Sequence, residues 1–221
     1  MVTLTARWLS VFTGPTFSFL RESWSLSADP LVGELSLAVV RLQVSSASTA
    51  PQGELGGSGF NISSRGLVVT NRHLVEDASL VRVSFPEKGT FIASEWYISE
   101  QADLALIPLD SSGLPVVALA ADPAVSGDEL LVIGNPLQYT RIANRGTLAG
   151  YRQVGNGAGR LMVIAAEIYP GNSGSPVFNR AGEVVGIVFA TIRGDDATES
   201  LGLAVPVETL KKYLSETVIV Q

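Results

Sequence analysis

The chain has 221 residues, 46% of them hydrophobic and 16% charged, with a formal net charge of -6, one histidine and no cysteine. That length holds one large domain or two small ones, with ample material for a core and no compositional sign of disorder. The acidic balance argues against a nucleic-acid partner, which needs a basic surface, and the lack of cysteine excludes disulfides, thiolate catalysis and cysteine-ligated metals.

Residues 1–34 differ in character from the rest of the chain. They carry Trp8, Phe12, Phe17, Phe19 and Trp24, rings too large to be left in water, so they either pack on the main body or form a subunit contact. No apolar run approaches the ~18 residues of a membrane span. "WLSVFTGPTFSFL" is broken by Gly14-Pro15 and "SLSA" (25–28) is a poor cleavage site, so no clear signal peptide is present. From Leu35 the chain reads as short strands between turns: "LAVVRLQV" (37–44), "GLVVT" (66–70), "LVRVSF" (80–85), "DLALIPL" (103–109), "ELLVIGN" (129–135), "LMVIAAEI" (161–168) and "EVVGIVFA" (183–190). Gly, Pro, Asn, Asp and Ser punctuate them. Many short strands with close turn signals predict an all-β barrel or sandwich. Two stretches read as helix: "NRHLVEDA" (71–78), and "PVETLKKYL" (206–214), which opens on Pro206 and spaces Val207, Leu210 and Leu214 helically.

The chemistry starts from His73, the single histidine, in "VVTNRHLV". Alone it reads as a polar residue at a helix start. A catalytic role needs a serine and a carboxylate, because a hydroxyl is a weak nucleophile until a neighbouring base removes its proton. A buried acid must then hold the imidazole tautomer. Asp103, at the entrance to the apolar "DLALIPL" strand, is the candidate acid; Asp110, at its far end, is the better example of a solvated turn residue. Ser173 in "PGNSGSPVF" (170–178) is the candidate nucleophile. Gly171 lets the backbone turn sharply, so that the N–H groups of Gly171 and Ser173 meet at one point, the geometry of an oxyanion hole. Metal and cofactor sites find no support: with one histidine and no cysteine a zinc site would rest on carboxylates, and "GELGGSG" (53–59) runs into a strand instead of a phosphate-binding helix. "NIS" (61–63) matches a glycan acceptor by chance inside a strand.

With His73, Asp103 and Ser173 in that order, the chain resembles the trypsin-like serine peptidases and, within them, the HtrA (Deg) family. The matching stretches are "GSGFNISSRGLVVTNRHLVEDA" (57–78), "DLALIPLD" (103–110), "VIGNP" (132–136), "PGNSGSPVFNRAGEVVGIVFA" (170–190) and "GLAVPVETLKKYL" (202–214). The resemblance implies two six-stranded antiparallel β-barrels with the active site between them, residues 35–221 as the protease domain and residues 1–34 as an added segment. It implies an endopeptidase acting on unfolded or damaged polypeptides, with His73 as general base, Asp103 as its orienter, Ser173 as nucleophile and the Gly171 and Ser173 amides as oxyanion donors. No cofactor is implied. It further implies an extracytoplasmic or periplasmic setting and a homotrimer through the N-terminal aromatic segment.

Three departures qualify the likeness. Ser175 stands where the family usually has glycine, so its Cβ is expected to crowd the barrel wall. Asn172 precedes the nucleophile, as in HtrA proteins, and cannot pair with a new N-terminus as trypsin's aspartate does. HtrA proteins usually add a PDZ domain, whereas this chain ends at Gln221, which reads as a relative lacking that domain or as a truncated one. In trypsin-like folds the position of Glu167 lines the pocket for the residue before the scissile bond. There it would favour Arg or Lys; pointing outward, it would leave a small apolar pocket. The loops at 138–146 and 193–200 are expected to gate the site, as comparable loops do in the family. Two rival readings are a catalytically silent holdase that binds unfolded chains, which should have lost one of the three residues, and an unrelated β-barrel binding module.

Overall fold

The computed structural model describes residues 15–46, 54–154, 159–193 and 200–217. Trp8, Phe12 and most of the 193–200 loop lie outside them, as do the side chains of Phe17 and Phe19. Two helices open the described chain, α1 (Pro15–Leu26) and α2 (Pro30–Ala38). Asp29 caps α2 through its side chain on the Leu31 N–H, and Pro30 supplies a first turn that needs no donor. The helix runs past residue 35, so the strands start later than the sequence pattern suggests, at β1 (Val39–Ser46).

The first lobe continues with β2 (Leu55–Asn61), β3 (Leu67–Thr70), the one-turn helix α3 (Arg72–Val75), β4 (Ala78–Phe85), β5 (Gly89–Ile92), β6 (Tyr97–Ile98) and β7 (Ala105–Pro108). These strands form a seven-stranded antiparallel sheet in the order β5-β4-β1-β2-β3-β7-β6. The second lobe holds β8 (Glu129–Gly134), β9 (Ile142–Val154), β10 (Gly159–Ala165), β11 (Pro176–Phe178), β12 (Val184–Arg193) and β13 (Ser200–Pro206), and α4 (Val207–Glu216) follows it. Its strands close into a six-stranded barrel in the order β10-β13-β12-β11-β8-β9. The all-β, two-lobed architecture is as expected from the sequence; the second lobe closes on itself and the first is a curled sheet of seven strands.

Alternation places the cores. Val40, Leu42, Val44, Val81, Val83 and Ile107 fill the first lobe, and Leu130, Val132, Leu148, Met162, Ile164 and Val177 fill the barrel. A third cluster lies between the lobes: Val39, Phe60, Leu106, Ile133, Phe178 and Ile187 meet there, joined by Leu26 and Leu35 from the N-terminal helices and Leu210 from α4. That apolar seam fixes the lobes relative to each other. Among the described residues no helix is long and apolar enough to cross a membrane. Asn61 is fully buried, with its side chain bonded to Ser63, Leu67 and Pro115, so the "NIS" match is a structural turn.

Candidate active site

The register of β3 on β7 brings the first two candidate residues together. Val68 pairs with Ile107, Val69 with Leu106 and Thr70 with Ala105. Continuing past the last pair sets Asp103 beside the start of α3. Asn71 stands at the N-cap of that helix but does not cap it; its amide instead donates to the Asp103 carbonyl at 2.9 Å. The Asp103 carboxylate takes over the capping task, accepting the His73 N–H on Oδ1 at 2.9 Å, while Oδ2 lies 2.7 Å from His73 Nδ1. The acid thus holds both the backbone and the ring of the histidine, which leaves ring rotation little freedom.

Asp103 is half-buried. Burial alone would raise its pKa, but the hydrogen bonds from the His73 ring and N–H, the imidazolium charge and the Arg72 N–H outweigh it and hold the carboxyl below its ordinary value.

The third candidate sits on the other lobe, in the turn before β11. Gly171 (φ 97) and Gly174 (φ 83) flank Asn172 and Ser173 in the left-handed region. A Cβ on Gly171 would lie 2.6 Å from the Asn135 carbonyl, and one on Gly174 would overlap the Ser58 carbonyl, so both positions require glycine on space as well as on φ. Every carbonyl from 170 to 173 is anchored. Pro170 accepts from the Leu137 N–H at 2.9 Å, Gly171 from the Ser58 hydroxyl at 2.7 Å, Asn172 from the Ser175 N–H at 2.9 Å and Ser173 from the Ser58 N–H at 2.8 Å. Of the amides, Asn172 donates to Tyr169 and Gly174 to Val188, whereas those of Gly171 and Ser173 donate to no described residue. In a planar trans peptide the N–H points opposite to its carbonyl. Anchoring the Pro170 and Asn172 carbonyls therefore turns the Gly171 and Ser173 N–H groups outward.

The Ser173 turn is tied to the strand that delivers His73. Ser58 bonds Ser173 and Gly171 on one side, and on the other its carbonyl accepts the Thr70 hydroxyl at 2.8 Å, three residues before His73. Among the described residues no hydrogen bond joins Ser173 Oγ to the His73 ring.

Glu167 is exposed; its carbonyl accepts from Asn144 and its carboxylate accepts the Tyr169 hydroxyl at 3.0 Å. Burial, that acceptor and its charge together push the Tyr169 phenol up to about 12. Ser175 is fully buried without crowding the wall, because Gly134 opposite it has no side chain. Sequence reasoning did not single out Ser58, Thr70, Asn71, Asn135 or Leu137. The glycine spacing of "GGSGF" (56–60) is the one signal that a serine there needs close backbone neighbours.

Residues 57–187 match the family model described as "Trypsin-like peptidase domain". The chain is 30% identical over 209 residues to the serine protease HTRA1A of Danio rerio, covering 90% of this chain and 42% of the relative. It is 33% identical over 155 residues to the "Probable periplasmic serine endoprotease DegP-like" of Ectopseudomonas mendocina, covering 69% of this chain and 33% of the relative. It thus spans less than half the length of these curated relatives. The crystal structure of the active form of the Rv3671c protease from M. tuberculosis superposes with a TM-score of 0.77 at 25% identity, covering 89% of this chain and 88% of that one. By its matched segment, which runs from β2 to β12 and takes in His73, Asp103 and Ser173, the chain belongs to the trypsin-like peptidase domain family.

Proposed function

We propose that the chain is a serine endopeptidase in which Ser173 attacks the scissile carbonyl, His73 takes its proton and Asp103 orients and charge-stabilises the imidazole. The observation that carries this reading is the pairing of an acid-held imidazole with a turn whose two unused amides are those of Gly171 and Ser173. With Nδ1 held on Asp103, the ring's Nε2 is the nitrogen left to accept the Ser173 proton. Attack converts the carbonyl oxygen to an oxyanion, and the Gly171 and Ser173 N–H groups are its donors. His73 then returns the proton to the leaving amine, which departs and leaves an acyl group on Ser173. Water, deprotonated by the same imidazole, releases the acid product and restores the hydroxyl.

The substrates on this reading are unfolded or damaged polypeptides, as the HtrA resemblance implies, and the setting is extracytoplasmic, in keeping with the periplasmic name of one relative. Residues 35–221 form the peptidase unit and the aromatic segment 1–34 the contact of a homotrimer. The exposure of Glu167 and its bond to Tyr169 support the outward reading of that side chain. Peptides with Val or Ala before the cut should therefore be cleaved at least as fast as those with Arg.

A fluorophosphonate probe tests the core of the reading. It should label the protein covalently, and Ser173→Ala or His73→Ala should abolish labelling. An unlabelled wild type that still suppresses aggregation of an unfolded protein would replace the peptidase with a holdase.

A further inference from the structure

His73 and Asp103 stand on the first lobe and Ser173 on the second, so the proposed reaction depends on whatever sets one lobe against the other at the site. The apolar seam does this coarsely; at the turn itself the contact is Ser58. This residue lies on β2, fully buried, and five hydrogen bonds converge on it. Its N–H donates to the Ser173 carbonyl at 2.8 Å and its hydroxyl to the Gly171 carbonyl at 2.7 Å. The hydroxyl oxygen accepts from the Asn135 N–H at 2.9 Å and the Asn135 amide at 3.3 Å, and the Ser58 carbonyl accepts the Thr70 hydroxyl at 2.8 Å.

The direction of the hydroxyl proton is set by these partners. Two donors from Asn135 face the oxygen, so its single hydrogen has the Gly171 carbonyl as its acceptor. The same Asn135 amide also reaches Val40 of β1 at 2.9 Å, which locks the donor in place. Nor can the Ser58 backbone shift freely. A Cβ on Gly57 would meet Leu74, one on Gly59 the Val69 carbonyl, and one on Gly174 the Ser58 carbonyl itself.

We propose that Ser58 is a positioning residue: its hydroxyl and N–H straddle the peptide that carries the Ser173 amide, and together they hold the Gly171 and Ser173 N–H groups convergent and in register with His73. Gly171 is a left-handed glycine with wide torsional freedom. Without the hydroxyl, its part-buried carbonyl loses that partner and the Gly171–Asn172 peptide gains by rotating toward another donor. That rotation changes Gly171 ψ and Asn172 φ, and so alters the angle between the two flanking peptides, which carry the Gly171 and Ser173 N–H groups. Substrate contacts elsewhere in the cleft are unaffected, so the loss falls on the transition state and not on ground-state binding.

The inference rests on the serine-peptidase reading, and one experiment separates the two. Full-length wild type, Ser58→Ala and Asn61→Ala are assayed on a quenched fluorogenic peptide with Val before the cut, well below every melting temperature. Asn61 is a buried, hydrogen-bonded residue on the same strand with no contact to the turn, so its variant reports destabilisation alone. Ser58→Ala should lose about 10- to 100-fold in kcat, less than the ~10²–10³ of deleting an oxyanion donor outright, with KM within about twofold, and Asn61→Ala should lose stability but keep kcat. Wild-type kcat in Ser58→Ala, or an equal kcat loss in Asn61→Ala, overturns the inference while leaving the peptidase intact; an inert wild type overturns both. Should Ser58→Ala not fold, Ser58→Cys, near in size but a weaker donor, carries the same test: reduced kcat at unchanged KM supports the role, and unchanged kcat ends it.

Discussion

Ser175 occupies the volume that a side chain on Gly134 would take: a Cβ on Gly134 would overlap Ser175 Oγ and crowd Asn172 Oδ1. The two residues face each other across β8 and β11, and Ser175 Oγ lies 3.4 Å from Asn172 Oδ1. Gly134→Ala should therefore destabilise by overpacking, by about 1–3 kcal/mol. Ser175→Gly in the same background should recover part of that loss, giving a favourable coupling in a double-mutant cycle. Recovery stays partial, because Asn172 remains in the way. Chemical denaturation of the four proteins measures the coupling, and simple additivity would show that the two positions do not compete for space.

On the proposed mechanism, Asp103→Asn keeps the shape of the acid and loses its charge. An amide nitrogen can turn toward His73 Nδ1 and favour the wrong tautomer, leaving Nε2 unable to accept the Ser173 proton. The expected loss in kcat is about 10⁴-fold with the fold retained. Steady-state rates, with circular dichroism as the check on folding, test it; a loss under tenfold would mean that the acid does not set the tautomer.

How much of this was open to the sequence depended on what each residue's role relies on. The placements of His73 after a strand, Asp103 at a strand entrance and Ser173 in a glycine turn were legible because each context is constrained over short range. Strands such as Val184–Arg193 were legible from their β-branched runs. Of β2, the glycine-rich beginning was read only as leading into a strand, since glycine weakens a strand on its own; the glycines are needed because Leu74, Val69 and Gly174 approach that backbone closely. The longest strand, β9, was hidden by Arg, Asn and Gly in "IANRGTLAGYRQV", which hold strand conformation through pairing with β8 and β10. The role of Ser58 was invisible for a similar reason: its partners lie 77 and 113 residues away.

The lowered pKa of Asp103 has a consequence for acid stability. A carboxyl whose folded pKa lies below its unfolded value of about 3.9 stabilises the native state fully above that value. The contribution fades as pH falls through the lower folded pKa. Asp103→Asn removes this titration, so the difference in melting temperature between wild type and variant should be constant near neutrality and shrink below about pH 4. A pH-independent difference down to acid unfolding would contradict the shift.

Tyr169 gives the alkaline counterpart. Its phenol is raised to about 12, first by burial and then by its bond to Glu167 and that carboxylate's charge. The favoured neutral phenol contributes stability that is complete below the ordinary value of about 10 and is lost as pH rises through the folded one. Tyr97, Tyr151 and Tyr213 are raised as well, so ultraviolet difference titration should show several late phenols, of which one near 12 disappears in Tyr169→Phe. Glu167→Gln should move it down only part of the way, because burial remains; a return to the ordinary value would make Glu167 the whole cause.

The N-terminal helix should matter to the barrel through one hydroxyl. β9 pairs with β8 along Ile142–Thr147 but with β10 only from Thr147 onward. Its first residues therefore present N–H groups on an open edge. α1 closes that edge with side chains in place of a strand: Ser23 Oγ accepts the Ala143 N–H and Glu22 Oε1 the Arg145 N–H, both at 3.1 Å. Ser23 is buried while Arg145 is exposed, and water can replace Glu22 but not Ser23. Ser23→Ala should cost about 1–3 kcal/mol, the penalty for a buried donor left unpaired, and Glu22→Ala less than about 1 kcal/mol. Urea denaturation of the two variants tests the ranking, and a Ser23→Ala cost no larger than that of Glu22→Ala would show that the buried hydroxyl is not what closes the edge.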